Sequence, residues 1–273
     1  MGLFSNYNKP GPGVNKDEKK KKGLILFFEL LTRKFGAYIT LNLVYLLTLV
    51  PGILAVWFSL MFCLGDIAKT QEDAAALVSI ISMASILIAV LFSLSPCSSG
   101  YFYVLRNFTR EDHAWEFADL WGKFKANLGK SIATFVIDTI LVCTAFFGIR
   151  IYIILSAVLG TAAYFLIGGY LLILFLFMLS IPYKWIMTVT FSMGLGSIYK
   201  NSFFLLFVDA KRNGMYVLAV AFFWFVMYLL STISAGLITI IVLAVIGISA
   251  YGLTLSINTY PTIEKYLIDP QEK

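Results

Sequence analysis

The sequence predicts an all-α, polytopic membrane protein of about six transmembrane helices with both termini inside. Three observations carry that reading. The chain is 60% hydrophobic and only 13% charged, about half the charged share of a soluble domain. Its apolar residues fall into runs near the ~20 residues that a helix needs to cross a bilayer. Its basic residues fall almost entirely on one side of those runs.

The spans are drawn in order. The first covers about 37–64 and contains Pro51 and Gly52, which predict a kink. Such a break is tolerated where neighbouring helices satisfy the freed backbone groups. The second covers 74–95 and meets SPCSSG, a helix break, before helix resumes through YFYVLRNF. The third covers 131–147, the fourth 157–181, the fifth 216–231 and the sixth 237–257. The boundary between the last two, STISAG, is soft, so five to seven spans are compatible with the pattern.

With the N-terminus inside, nineteen of the 21 lysines and arginines fall on the cytoplasmic side, leaving Lys69 and Arg150 outside. That asymmetry follows the positive-inside rule. In this count Lys184 belongs to the loop between the fourth and fifth spans. The net charge of +6 then sets topology. It does not make a nucleic-acid surface, because the aromatics lie inside apolar runs rather than on a basic soluble module.

Between the spans lie segments with helical periodicity. In EDHAWEFADLWGKFKANL, Phe117, Leu120, Trp121, Phe124 and Leu128 recur on one helical face. GLILFFELLTRKF is similar in character, and IPYKWIMTVTFSMGLGSIYKNSFF less clearly so, with a turn around 193–196. An aromatic-basic helix thus precedes each pair of spans. That recurrence reads either as a threefold hairpin repeat or as the common look of a cytoplasmic approach to lipid. The organisation is a basic leader at 1–22 and an amphipathic approach helix at 23–36. A membrane domain at 37–258 follows, with its cytoplasmic amphipathic segment at 109–130, and then a tail at 259–273.

Few residues suggest chemistry. Asp138, in FVIDTILV, sits about 10 Å past Ser131 along the third span. An intramembrane acid faces a bundle interior or a water-filled path. It is read either as a relay for a proton or substrate, or as a carboxylate paired with Lys, Arg or hydroxyls. Cys63, Cys97 and Cys143 are widely separated and read as buried thiols. His113 has no metal-ligand spacing and reads as an ordinary helix residue. Nucleotide-loop, zinc-protease and serine-hydrolase motifs are missing, so no catalytic, cofactor or metal residue is assigned and no enzyme is expected. The stretch LILFFELL is brief, carries Glu29 and runs into Arg33, which does not fit a secretory signal.

Two stretches carry a resemblance. KPGPGV followed by KDEKKKKGLILFFELLTRKFGAYITLNLVYLL resembles the opening of the YesL-type bacterial integral membrane proteins, a family named for a domain of unknown function. YVLRNFTREDHAWEFADLWGKFKANLGKS is similar to that family's second hallmark, a Tyr-x-Leu-Arg stretch, an acidic turn and an aromatic-basic helix. SPCSSG stands where the family has a Gly-Pro-Ala-Thr-Ala-Gly-like turn, and about 54–94 reads as a long insertion. The resemblance implies a multi-pass protein of the bacterial cell membrane. It also implies a non-enzymatic accessory role beside a carbohydrate importer of the ATP-binding-cassette type. Permease subunits and the lipid bilayer are then the expected partners. Trp115, Phe117, Trp121 and Phe124 are the candidate docking residues, against the alternatives that their helix rests on headgroups or on the protein's own bundle. A secondary transporter for a small solute, and a membrane-bound sensor or scaffold, are the other readings kept open.

Overall fold

The computed structural model describes residues 23–50, 95–234 and 236–269, and helices are their only regular structure. The leader, the Pro51–Gly52 kink, nearly all of the second span, Cys63 and Lys69 lie outside the described residues. Helix α1 is Gly23–Arg33 and α2 is Phe35–Val50. After a turn at 95–97, α3 is Ser98–Thr109 and α4 is Glu116–Ala126. Then come α5, Leu128–Ile154, the single turn α6, Ser156–Leu159, and α7, Thr161–Thr190. Helix α8 is Leu195–Val208 and α9 is Ala210–Ser234. The last rod begins as α10, Leu237–Val242, widens into a π-turn at Leu243–Gly247, and continues as α11, Ile248–Ile263. A second π-turn closes it at Glu264–Ile268.

Four of these helices are long and apolar enough to cross a membrane, which makes this an all-α helical membrane protein: α5, α7, α9 and the rod 237–268. Each is buried along only a minor part of its surface and exposes apolar side chains over the rest. Along α5 the buried residues are Ser131, Thr134, Asp138, Val142 and Ala145, a stripe of small and polar side chains. Its other faces expose Ile132, Val136, Ile140 and Leu141. A soluble helix would have that pattern reversed. Small residues at a buried stripe let neighbouring membrane helices approach closely.

Two ends are longer than the sequence predicts. A hydrocarbon core is ~30 Å thick, and the 30-residue α7 is about 45 Å long at 1.5 Å per residue. Its last turns, from Ser180 to Thr188, are buried on every side, because protein rather than lipid surrounds them. The expected amphipathic segment from Ile181 is therefore the end of a long helix, and α8 starts only after the non-helical stretch 191–194. The predicted tail likewise begins inside the core, where Thr259, Tyr260, Thr262 and Ile263 are buried on α11.

Helix α3, the last turns of α7, and α11 pack on one another and form the centre of the basic end. Gly100 permits the closest approach there. A Cβ on it would run into the Leu120 backbone carbonyl, so α4 lies directly on α3.

Around that centre one join recurs. Among the described residues a short helix passes to a long one through a single non-helical residue at Lys34, Asn127, Gly160 and Asp209, and the joins at Lys34, Asn127 and Asp209 share one pattern. Each time the carbonyl of that residue accepts from the amide four residues on, Tyr38, Ser131 and Asn213, at 3.1, 2.8 and 2.9 Å. All three of those residues are buried and touch a central helix. Tyr38 packs edge-on against Phe108, Ser131 donates to Ser99, and Asn213 accepts from Tyr183. The aromatic-basic pattern read from the sequence thus corresponds to one repeated structural join.

Candidate functional site

Asp138 is fully buried and has partners. The Lys184 ammonium donates to both of its carboxylate oxygens, each at 2.7 Å. The Tyr199 hydroxyl donates to Oδ1 at 2.6 Å. Lys184 is also fully buried. Its ammonium sits 3.9 Å from the Phe177 ring centroid and 4.9 Å from that of Tyr199. Lys184 is therefore a membrane-helix residue and not a loop residue, which corrects its place in the charge count. Three helices meet at the pair: α5 supplies Asp138, α7 Lys184 and α8 Tyr199. Two unit charges out of water each carry a desolvation cost of several kcal/mol, offset only by close, well-bonded geometry. The bidentate contact, the phenol and the aromatic faces supply that geometry. The paired-carboxylate reading of Asp138 is the one the geometry matches.

A second polar arrangement holds the last rod open. The fully buried Asn42 donates from Nδ2 to the carbonyls of Leu243 and Ala244, at 3.1 and 2.7 Å. Its Oδ1 accepts from the Ser249 amide at 2.9 Å. The Tyr101 hydroxyl donates to the Ile248 carbonyl at 2.7 Å. A π-turn leaves backbone groups without their usual partners, and Asn42 serves both donor and acceptor of this one. Beside it lies a cavity of about 60 Å³, lined in part by Tyr45, Tyr101, Tyr216, Tyr251 and Gly252.

The predicted docking residues divide. Trp115, Phe117 and Trp121 are 66%, 65% and 41% exposed. Phe124 instead is half-buried against the core, and Leu120 is wholly buried. The single apolar face expected for α4 is thus two edges, one anchored on α3 and one uncovered. The start of α4 is tied by Asp119, whose carboxylate accepts from the amide of the N-cap residue Trp115 at 2.8 Å. His113 lies in the irregular stretch 112–115 and not in a helix. Its ring meets that of Trp115 edge-on at 4.9 Å.

Basic side chains gather at this end. Arg33 pairs with Glu111 at 3.1 Å and Arg110 with Asp112 at 3.0 Å. Lys34 donates to the Asp112 carbonyl at 3.0 Å. Burial, then the neighbouring Arg33 charge, lowers the Lys34 ammonium below the usual lysine value. Arg106 lies deeper, bonded to Thr190 and Asn107. Burial, then the Arg110 charge, lowers its guanidinium as well.

Among the described residues no group of three His, Cys, Asp or Glu side chains is placed to hold a metal. Sequence reasoning found Asp138 but missed Lys184, Tyr199 and Asn42. The signal for Lys184 was depth: Asp138 lies ten residues from the start of α5 and Lys184 six from the end of α7. No family model, curated protein or solved structure matches the chain.

Proposed function

We propose that this protein is a non-enzymatic accessory subunit of a bacterial membrane complex, and that it docks a partner through α4. One observation carries the reading: Trp115 at the N-cap of α4, and Phe117 and Trp121 on it, are exposed, while the buried Leu120 and the Asp119–Trp115 bond anchor the helix. Rigid aromatic side chains dominate interface energetics. The resemblance to the YesL-type proteins supplies the partner class, a carbohydrate-importer permease. Phe117→Glu with Trp121→Glu removes the apolar edge and leaves the Leu120 anchor in place. The doubly substituted protein is expected to stay folded in detergent and to lose a co-purifying permease. Undiminished co-purification rejects the docking role.

A second reading, a transporter for a small solute, is favoured by the π-turn at Leu243–Gly247 and its tyrosine-lined cavity. Interrupted helices beside a cavity are where transporters bind substrate. Purified protein in vesicles, offered a panel of labelled sugars, tests it. Uptake that disappears with Asn42→Leu favours transport, and no uptake of any sugar counts against it.

A further inference from the structure

We propose that Arg106 and Lys123 form a binding site for a phosphate group at the basic end of the bundle. Arg106 is 8% exposed, and all its bonds go to neutral acceptors. Nη1 donates to Thr190 Oγ1 at 2.8 Å, and Nε and Nη2 donate to Asn107 Oδ1 at 3.3 and 3.0 Å. A guanidinium has five N–H donors, so two are left over. The Arg106 guanidinium carbon lies 4.8 Å from the Tyr103 ring centroid, and the Lys123 ammonium lies 4.6 Å from the same centroid. One tyrosine therefore holds two cations from two helices.

Neither cation pairs with a carboxylate of the described residues. The nearby acids are engaged elsewhere: Glu111 with Arg33, Asp112 with Arg110, and Asp119 with the Trp115 amide. The corner gathers Arg33, Lys34, Arg106, Arg110 and Lys123 with the acids Glu111, Asp112, Glu116 and Asp119, none of which pairs with Arg106 or Lys123. A buried charge without a counter-charge is costly, and an arriving anion offsets that cost. The fork of spare N–H donors suits a tetrahedral oxyanion, and a lysine beside it adds a mobile point charge. Two cations on one ring, neither with a carboxylate partner, favour a phosphate dianion over a single carboxylate. Its source is either the headgroup of an anionic lipid or free phosphate.

The test uses the full chain in neutral detergent at constant ionic strength. Its unfolding temperature is followed against inorganic phosphate, phosphatidic acid, and phosphatidylcholine as control. Stabilisation by both phosphate and phosphatidic acid supports the site with either source. Stabilisation by phosphatidic acid alone supports it with lipid as the source. In both cases Lys123→Gln, which leaves the bonds of Arg106 intact, should weaken the half-maximal concentration about ten-fold, and Arg106→Gln should abolish the effect. No shift with either ligand overturns the proposal. So does a shift that Lys123→Gln leaves unchanged, a result readable even if Arg106→Gln does not fold.

Discussion

Lys184 sets its ammonium equidistant from the two carboxylate oxygens of Asp138, 2.7 Å from each, with both residues sealed from solvent. The pair ties α7 to α5. Losing one partner leaves the other charge buried alone, which typically costs about 3–5 kcal/mol. Asp138→Ala and Lys184→Met should each lower stability on that scale, read from thermal or denaturant unfolding in detergent. The double substitution Asp138→Leu with Lys184→Met should recover most of the loss, since two apolar side chains leave no orphaned charge. A loss in the double variant equal to the sum of the two single losses would show that the pair is not coupled.

Tyr199 contributes separately. Its hydroxyl has one proton and two acceptors in reach, Asp138 Oδ1 at 2.6 Å and the Thr134 carbonyl at 3.3 Å. The shorter bond to a charged oxygen takes the proton. Hydrogen bonds to charged groups contribute about 1.5–3 kcal/mol, so Tyr199→Phe should cost that much while the ring stays over Lys184. A loss below about 0.5 kcal/mol would show that the ring matters and the hydroxyl does not.

Asn42 is the residue on which the π-turn depends. Asn42→Leu keeps the branched four-atom shape and takes from buried backbone the two donors and one acceptor that the amide supplies. Each group left unpaired costs about 1–3 kcal/mol. The helix can escape by rewinding from π to α, which shifts the register of every residue beyond it. Amide hydrogen exchange distinguishes the outcomes. Faster exchange at Ser249 is expected, because its amide donates to Asn42. Unchanged protection would mean that the π-turn holds itself.

Much of this architecture was legible because lipid imposes a simple rule. Any helix facing it must be apolar, so α5, α7, α9 and the last rod could be placed from their runs. Their ends could not. The apolar run of α7 closes near Ile181, and Pro182 with Lys184 looks like a helix end. The helix continues because α3 and α11 surround it there, and contacts between distant segments leave no local signal. Proline in a helix interior removes one hydrogen bond and kinks or breaks the helix, so the sequence favoured the wrong boundary. Asp138 was conspicuous as a lone acid in an apolar run, while its partner looked like an interfacial lysine. Asn42 raised no signal, because a neutral amide in a span carries no charge penalty to notice.

The contact of α4 with the bundle depends on one missing side chain. Gly100→Ala drives a Cβ into the Leu120 carbonyl, and backbone cannot rotate aside as a side chain can. Overpacking of this kind costs about 1–3 kcal/mol. Because α4 is short, it should give way before the buried α3 does. Cleavage by protease within 111–115 should therefore accelerate in Gly100→Ala, while the unfolding transition of the remaining bundle moves little. A protease-resistant 111–115 segment in this variant would count against the contact.

The chain bends between α3 and α4 at Glu111, which holds a left-handed backbone with φ of 64°. Its amide donates to the Phe108 carbonyl at 3.1 Å, and its carboxylate pairs with Arg33 in a half-exposed contact. A side chain in that conformation costs about 1–2 kcal/mol, which glycine avoids. Glycine also loses about 0.5–1 kcal/mol through the freedom of its unfolded chain. The exposed ion pair is worth about 0–1 kcal/mol. These effects offset one another, so Glu111→Gly should change stability by less than about 1 kcal/mol. Glu111→Val loses the ion pair and keeps the strain, aggravated by branching at Cβ. It should destabilise by at least about 1 kcal/mol. Thermal unfolding of the two variants side by side decides the matter. If glycine proved as harmful as valine, the ion pair rather than the backbone would be what Glu111 contributes at the bend.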